Sequence, residues 1–245
     1  MKAGFDATGE VLLVTGGASG IGAAAARAYA AAGGTAVVLD TAAPPARPPL
    51  PDRGGVEHHR VDVADRDAVF ACVADVLGRH GRIDGLIAGA AVQPRGDVVA
   101  MDPGEWRRTL AVNLDGVVWA CQAVLPSMIG RRSGAILVFS SGLAHAGRAQ
   151  ASAYAASKGA LISFTRSLAA EVAAHRVRVN IVFPGVIDTP QFRRANPEGG
   201  EREHWARTTG IGTPDDVAGP LMFLLSDAAT MTGSQLSRDR ALVKE

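Results

Sequence analysis

Cysteine is nearly absent from this chain. It has two in 245 residues, Cys72 and Cys121, which form neither a C-x-x-C pair nor any metal-ligand spacing. No metal site is expected, and a reduced, cytoplasmic compartment fits that usage best. Excess charge is missing as well: 25 Lys and Arg stand against 24 Asp and Glu, a net charge of +1. This balance gives no electrostatic case for nucleic acid or for an acidic surface. No uninterrupted apolar run approaches the roughly 18 residues of a membrane span, and the N-terminus has no signal-peptide apolar core. A soluble, intracellular protein without a membrane partner is the expectation. Aromatic residues are few, at 5%.

Glycine and apolar residues are plentiful: 29 glycines and a hydrophobic fraction of 47%. They suit helices packed tightly on a sheet. Short apolar runs alternate with longer amphipathic ones. Strands are predicted at Val11–Val14, Ala36–Leu39, Val56–Val61, Leu86–Ala88, Ala135–Phe139 and Val177–Val182. Helices are predicted at Ile21–Ala32, from an Asp65 cap to about Arg79, from an Asp102 cap with Pro103 at its first position through Leu125, and from Ser152 to about Ala174. Alternation of this kind argues an α/β fold, a doubly wound parallel sheet with helices on both faces. No repeat or linker divides the chain, so residues 1–245 are read as a single domain. One stretch breaks the rhythm. Residues 41–55 hold five prolines where a crossover helix belongs, so they are read as a surface loop.

Thr15-Gly16-Gly17-Ala18-Ser19-Gly20-Ile21-Gly22 follows the first strand and opens the first helix. Glycines there allow a tight turn and close approach to a pyrophosphate, while the helix N-terminus supplies N–H groups and partial positive charge. A Gly-rich turn is a weak signal alone and a strong one in this position. Asp40 ends the second strand, where an acid binds adenosine ribose hydroxyls and repels a 2′-phosphate. NAD is therefore favoured over NADP, although Arg47 or Arg53 in the Pro-rich loop could reach a 2′-phosphate.

Further along, Ser140-Ser141 ends an apolar run, and Tyr154 and Lys158 stand four residues apart on a predicted helix. That spacing puts phenol and ammonium on one face. A nearby cation lowers a phenol's pKa from its usual value of about 10, so Ser, Tyr and Lys together could transfer protons. A Tyr-x-x-x-Lys pair by itself is more often an ordinary surface pair.

Taken in order, these residues resemble the short-chain dehydrogenase/reductase family across nearly the whole chain. Its T-G-x-x-x-G-x-G turn matches Thr15–Gly22, and its adenine-contacting D-V matches Asp62-Val63. Its mid-helix asparagine matches Asn113, its S…Y-x-x-x-K set matches Ser141, Tyr154 and Lys158, and its P-G-x-x-x-T segment matches Pro184–Thr189. The resemblance implies a Rossmann-type fold and hydride transfer between NAD(H) and a secondary alcohol or ketone. Tyr154 would be the general acid or base, Lys158 would lower its pKa and hold the nicotinamide ribose, and Ser141 would bind the substrate oxygen. Asn113 would position a water that relays protons from Lys158. Gly16, Ser19, Gly20, Ile21, Gly22, Asp40, Asp62 and Val63 would line the cofactor, with Pro184, Gly185, Ile187 and Thr189 at the carboxamide. Ser140 is read as structural. A homo-oligomer, tetramer or dimer, is also implied.

Two segments depart from the family pattern. Ala88-Gly89-Ala90-Ala91 stands where N-N-A-G is usual, and Arg238 replaces an apolar strand residue near the C-terminus. The first predicts altered cofactor binding and the second makes the usual tetramer less certain, with Arg238 bridging an interface or facing a polar substrate. Residues 190–212 fall where the family's substrate loop lies. Phe192 and Trp205 would cover the substrate there, and Gln93, His145 and Gln150 would add to the pocket wall. A competing reading is a non-catalytic NAD-binding sensor or scaffold on the same fold. The full Ser-Tyr-Lys-Asn set argues against it, since a sensor needs no proton relay.

Overall fold

A computed structural model of the protein describes residues 4–43, 54–197 and 199–239. Its elements, in chain order, are β1 (Val11–Thr15), α1 (Gly20–Ala31), β2 (Thr35–Asp40), β3 (Gly55–Arg60), α2 (Arg66–His80), β4 (Gly85–Ala88), α3 (Pro103–Leu110), α4 (Gly116–Arg131) and β5 (Gly134–Phe139). After them come α5 (Leu143–Ala146), α6 (Ser152–Val172), β6 (Val177–Phe183), α7 (Pro190–Ala195), α8 (Gly200–Thr208), α9 (Asp215–Leu225) and β7 (Gln235–Ser237).

The strands form one seven-stranded sheet in the order β3-β2-β1-β4-β5-β6-β7. Every neighbouring pair is parallel. This is the Rossmann-type doubly wound arrangement expected. β1 shows why it forms. All five of its residues are buried, and they alternate between two cores. Val11 and Leu13 join a core that includes Val69, Val73, Val124 and Leu161 from α2, α4 and α6. Leu12 and Val14 join the opposite core, with Ala25, Ala26, Val217 and Leu221 from α1 and α9. The strand order reverses between β1 and β4, and a crevice opens at the C-terminal ends of strands at such a switch point.

The helix ends follow local chemistry. Asp65 caps α2 by accepting from Ala68 N, and Gly81 closes it at φ 72°. Asp102 caps α3 by accepting from Glu105 N at 2.9 Å, ahead of Pro103. Three regions differ from expectation. The long helix after Asp102 is interrupted by a π-helical stretch, Ala111–Asp115, and Trp106 on it is 36% exposed rather than packed. Residues 190–212 fold largely as α7 and α8 instead of a loop. Gly55 belongs to β3 and not to the Pro-rich loop, whose residues 44–53 lie outside the described residues along with Arg47 and Arg53. The helical run Pro103–Arg131 is long and apolar enough, by length and composition, to cross a membrane. Half of its apolar window is buried in the protein, where Val117, Cys121 and Val124 face the sheet core.

Candidate active site

A cleft of about 1070 Å³ runs along the C-terminal ends of β1, β2, β4, β5 and β6. Its floor begins at the glycine turn. Gly16 sits at φ 72°, and a Cβ there would stand 2.6 Å from Ala90 Cα. A Cβ on Gly22 would stand 2.5 Å from the Gly16 carbonyl oxygen. Only glycine permits this turn against the loop after β4. Ser19 precedes α1 without a side-chain cap, and the first turn of α1 has no acidic residue. No carboxylate of the helix itself therefore competes for the N–H groups and dipole at its start. The Asp40 carboxylate fastens the turn, accepting from Ala18 N at 3.0 Å and from Ala42 N at 2.9 Å. This cradle fits a dinucleotide, with Gly16, Ser19, Gly20, Ile21, Gly22, Asp40, Asp62 and Val63 all on its wall.

Asp62 accepts from Ala64 N at 3.0 Å and pairs with Arg108 at 2.8 Å. Burial alone would raise its pKa, but Arg108 and the Ala64 N–H hold it below the usual carboxylate range. The Ala88-Gly89-Ala90-Ala91 loop lacks side-chain amides, and its backbone is held from elsewhere. Thr15 Oγ1 accepts from Gly89 N at 3.1 Å and from Ala90 N at 3.3 Å.

At the other end lie Ser141, Tyr154 and Lys158. Tyr154 and Lys158 share the buried face of α6, at 8% and 2% exposure. The Ser141 side chain is close enough to the Tyr154 phenol to lower its pKa, and its hydroxyl accepts from Leu143 N at 3.2 Å. Ser140 donates to the Lys158 carbonyl at 2.9 Å, a structural contact as expected. Lys158 Nζ donates to the Phe139 carbonyl at 2.8 Å and lies 5.9 Å from the Tyr154 ring centre. Burial and Ser141, not Lys158, set the pKa direction of the Tyr154 phenol in the protein on its own. Burial pushes the phenol up to about 12, with the Ser141 side chain opposing it. Burial also pulls the Lys158 ammonium down to about 8.

Pro184, Gly185, Ile187 and Thr189 form the facing wall. The Thr189 hydroxyl caps α7 by accepting from Phe192 N at 3.1 Å, and its methyl sits against Gly20. Gly212 pairs with this wall: it donates to the Val186 carbonyl at 2.9 Å and accepts from Asp188 N at 2.8 Å. The Arg238 guanidinium lies over Gly212, where a Cβ would touch it, and it pairs with Asp216 at 3.9 Å.

Gln93, His145, Phe192 and Trp205 all reach the cleft. His145 stacks on Phe183, with ring centres 5.1 Å apart. Gln150 does not reach it. Gln150 is exposed, has a left-handed φ of 63°, and its carbonyl accepts from Gly96 N. Asn113 is also off the cleft wall. Fully buried, it spends its amide on Val92 and Ser157, with no bond toward Lys158. Arg194 and Asn196, in the segment read as the substrate loop, line the cleft, whereas sequence reasoning missed Arg108 and Gln191 there. Charged and amide residues on helices that converge in space carry no local signal for this.

The chain was compared with known proteins. A family model described as short chain dehydrogenase matches residues 10–199. The chain belongs to the short-chain dehydrogenase family. Two relatives illustrate the range of these dehydrogenases. The chain is 36% identical over 245 residues to a 3-oxoacyl-[acyl-carrier-protein] reductase of Thermotoga maritima, covering 96% of this chain and 98% of that one. It is 38% identical to the cis-4-hydroxycyclohexanecarboxylate dehydrogenase of Sinomonas cyclohexanicum, covering 94% and 95%. Among solved short-chain dehydrogenase structures, the ligand-free aldohexose dehydrogenase of Thermoplasma acidophilum superposes with a TM-score of 0.86 at 32% identity, covering 98% and 97%. A putative NAD(P)-dependent gluconate 5-dehydrogenase from Beutenbergia cavernae with bound NADP gives 0.85 at 29% identity, covering 97% and 98%. An NAD+-bound xylitol dehydrogenase gives 0.83 at 25% identity, covering 94% and 98%. The chain is thus an oxidoreductase of a family that acts on alcohols and ketones, whose members use NAD(H) or NADP(H).

Proposed function

We propose that this protein is an NAD-dependent dehydrogenase or reductase of secondary alcohols and their ketones, with Tyr154 as general acid and base. One observation carries this reading. Tyr154 shares one wall with Ser141 and Lys158 in the same cleft as the glycine turn. A nicotinamide cofactor supplies hydride transfer when bound. The glycine turn, the α1 N-terminus and Asp40 would hold its adenosine and pyrophosphate end, and Pro184–Thr189 its carboxamide.

At neutral pH the phenol at about 12 is protonated and the ammonium at about 8 is charged. Tyr154 in that state donates a proton to a ketone oxygen as the carbonyl is reduced. In alcohol oxidation the base is the Tyr154 phenolate, which accepts the alcohol proton and returns to the phenol, and the Lys158 charge one turn away favours that phenolate. Ser141 donates to the substrate oxygen where negative charge develops. The preference for NAD rests on Asp40, whose carboxylate repels a 2′-phosphate. NADP in one structural neighbour and NAD+ in another leave that choice to measurement. A sensor without catalysis would not need the Ser141–Tyr154–Lys158 arrangement.

The test is a screen of secondary alcohols and ketones with NAD(H) and NADP(H), read by absorbance of the reduced cofactor. Tyr154→Phe should lower kcat by about 10²- to 10⁴-fold with folding retained. Turnover that survives Tyr154→Phe would overturn the mechanism.

A further inference from the structure

Beside the cleft lies a second cavity of about 620 Å³. The two share wall residues, among them Gln93, Arg108, Gln191 and Arg194, so the smaller one branches from the larger at the substrate end. Gln191 Nε2 approaches Gln93 Oε1 at 3.5 Å across the junction. The branch is lined by three guanidiniums, Arg95, Arg108 and Arg194, against a single described carboxylate, Glu105.

These cations are not equivalent. Arg108 is paired with Asp62 at 2.8 Å. Arg95 is held within the protein by contacts of its own. Arg194, on α7, lines both cavities and has no ion pair or hydrogen bond among the described residues. Its neighbour Arg193 lines neither cavity and is clamped by Asp188 at 2.7 and 2.8 Å. Adjacent arginines on one short helix are therefore disposed differently, one paired at the surface and one left facing the junction. The neighbouring Gln93 and Gln191 amides add uncharged hydrogen-bonding capacity.

We propose that the branch cavity receives a carboxylate carried by the substrate away from its reacting carbon, with Arg194 as the specificity-determining residue. The substrate class is then a keto acid or hydroxy acid. This inference rests on the secondary alcohol or ketone reading of the cleft. A single uncommitted guanidinium matches a single negative charge, and its planar fork matches a carboxylate. A doubly charged phosphate monoester would require a second free cation.

The test is reduction by NADH of 4-oxopentanoate, 5-oxohexanoate and 6-oxoheptanoate, each beside its primary amide, with 2-pentanone as the uncharged reference. The three lengths sample the span from the reacting carbon to Arg194. The expected result is an acid-over-amide ratio in kcat/KM of about tenfold or more for at least one length, falling as salt is raised. Arg194→Gln should bring that ratio close to one, Arg194→Lys should keep part of it, and Arg193→Gln should leave it intact. Amides used as well as acids at all three lengths would overturn the proposal. So would an acid preference that survives Arg194→Gln. Tyr154-dependent reduction of 2-pentanone with no acid preference would overturn this inference alone. Failure to reduce any of these ketones would overturn the functional reading and this inference with it.

Discussion

Asn113 grips the backbone of Val92 from both sides. Its Oδ1 accepts from Val92 N at 2.8 Å, and its Nδ2 donates to the Val92 carbonyl at 2.9 Å and to Ser157 Oγ at 3.0 Å. Ser157 in turn donates to the Tyr154 carbonyl at 2.7 Å. The residue read as a proton relay thus ties the loop after β4 to the helix that carries Tyr154. Asn113→Ala removes partners from both backbone groups of Val92. The expected cost is on the order of 3 kcal/mol, a drop in melting temperature on the order of 10 °C. A melting curve within about 2 °C of wild type would contradict this.

Lys158 is a stability cost retained for chemistry. Its folded pKa of about 8 lies below the ordinary lysine value. Between those values the unfolded chain binds the proton and the folded chain does not, so stability rises with pH across that window. Below it, both states are charged and the full penalty applies. Lys158→Met, which also forfeits the bond to the Phe139 carbonyl, should stabilise the fold by on the order of 2 kcal/mol at neutral pH. The advantage should shrink toward pH 10, and activity should be lost. Thermal melts of both proteins between pH 7 and 10 are the check, and a destabilised variant at pH 7 would refute the assignment.

The chain has two tyrosines, and burial raises the pKa of both. Tyr154 goes up to about 12, and Tyr29, hydrogen-bonded to Glu10 at 3.1 Å, is raised as well. The folded protein binds phenolic protons that the unfolded chain has lost, so stability falls as pH rises above about 10. A spectrophotometric titration of the folded protein should show little phenolate below about pH 11. Phenolate absorbance appearing near pH 8 would mean that Lys158 dominates over burial.

Asp40→Ser removes the carboxylate proposed to repel a 2′-phosphate. The ratio of kcat/KM for NADP to that for NAD should rise by about 10- to 100-fold. A wild type that prefers NADP, or a ratio unmoved by the substitution, would remove Asp40 as the discriminator.

The sheet was largely legible because β1, β2, β4, β5 and β6 are nearly continuous apolar runs, the pattern of strands buried on both faces. Helix starts at Asp65 and Asp102 and the stop at Gly81 were legible because capping is local chemistry. β7 went unseen. It has three residues, Gln235-Leu236-Ser237, and exists by pairing with β6. The helices in 190–212 carry few apolar residues, so periodicity gave little sign of them. Within the site, the glycine turn, Asp62-Val63 and Ser141, Tyr154 and Lys158 line the cleft because each comes from one continuous motif, while exposed Gln150 does not line it. Arg238 was expected at an interface or facing a polar substrate. It lines the cleft from a place over Gly212, which depends on a contact between segments 26 residues apart in sequence.

The π-helical stretch Ala111–Asp115 sets the rotational phase between α3 and α4. Straightening it into regular α-helix with all of its residues kept would rotate α4 by roughly 100° relative to α3, one residue's share of a turn. One half would keep its packing and the other would lose it, or Asn113 would swing off Val92. The irregular turn therefore acts as a phase shift that lets one helix answer two surfaces at once. A chain tuned only for helical regularity would have to give up one of them.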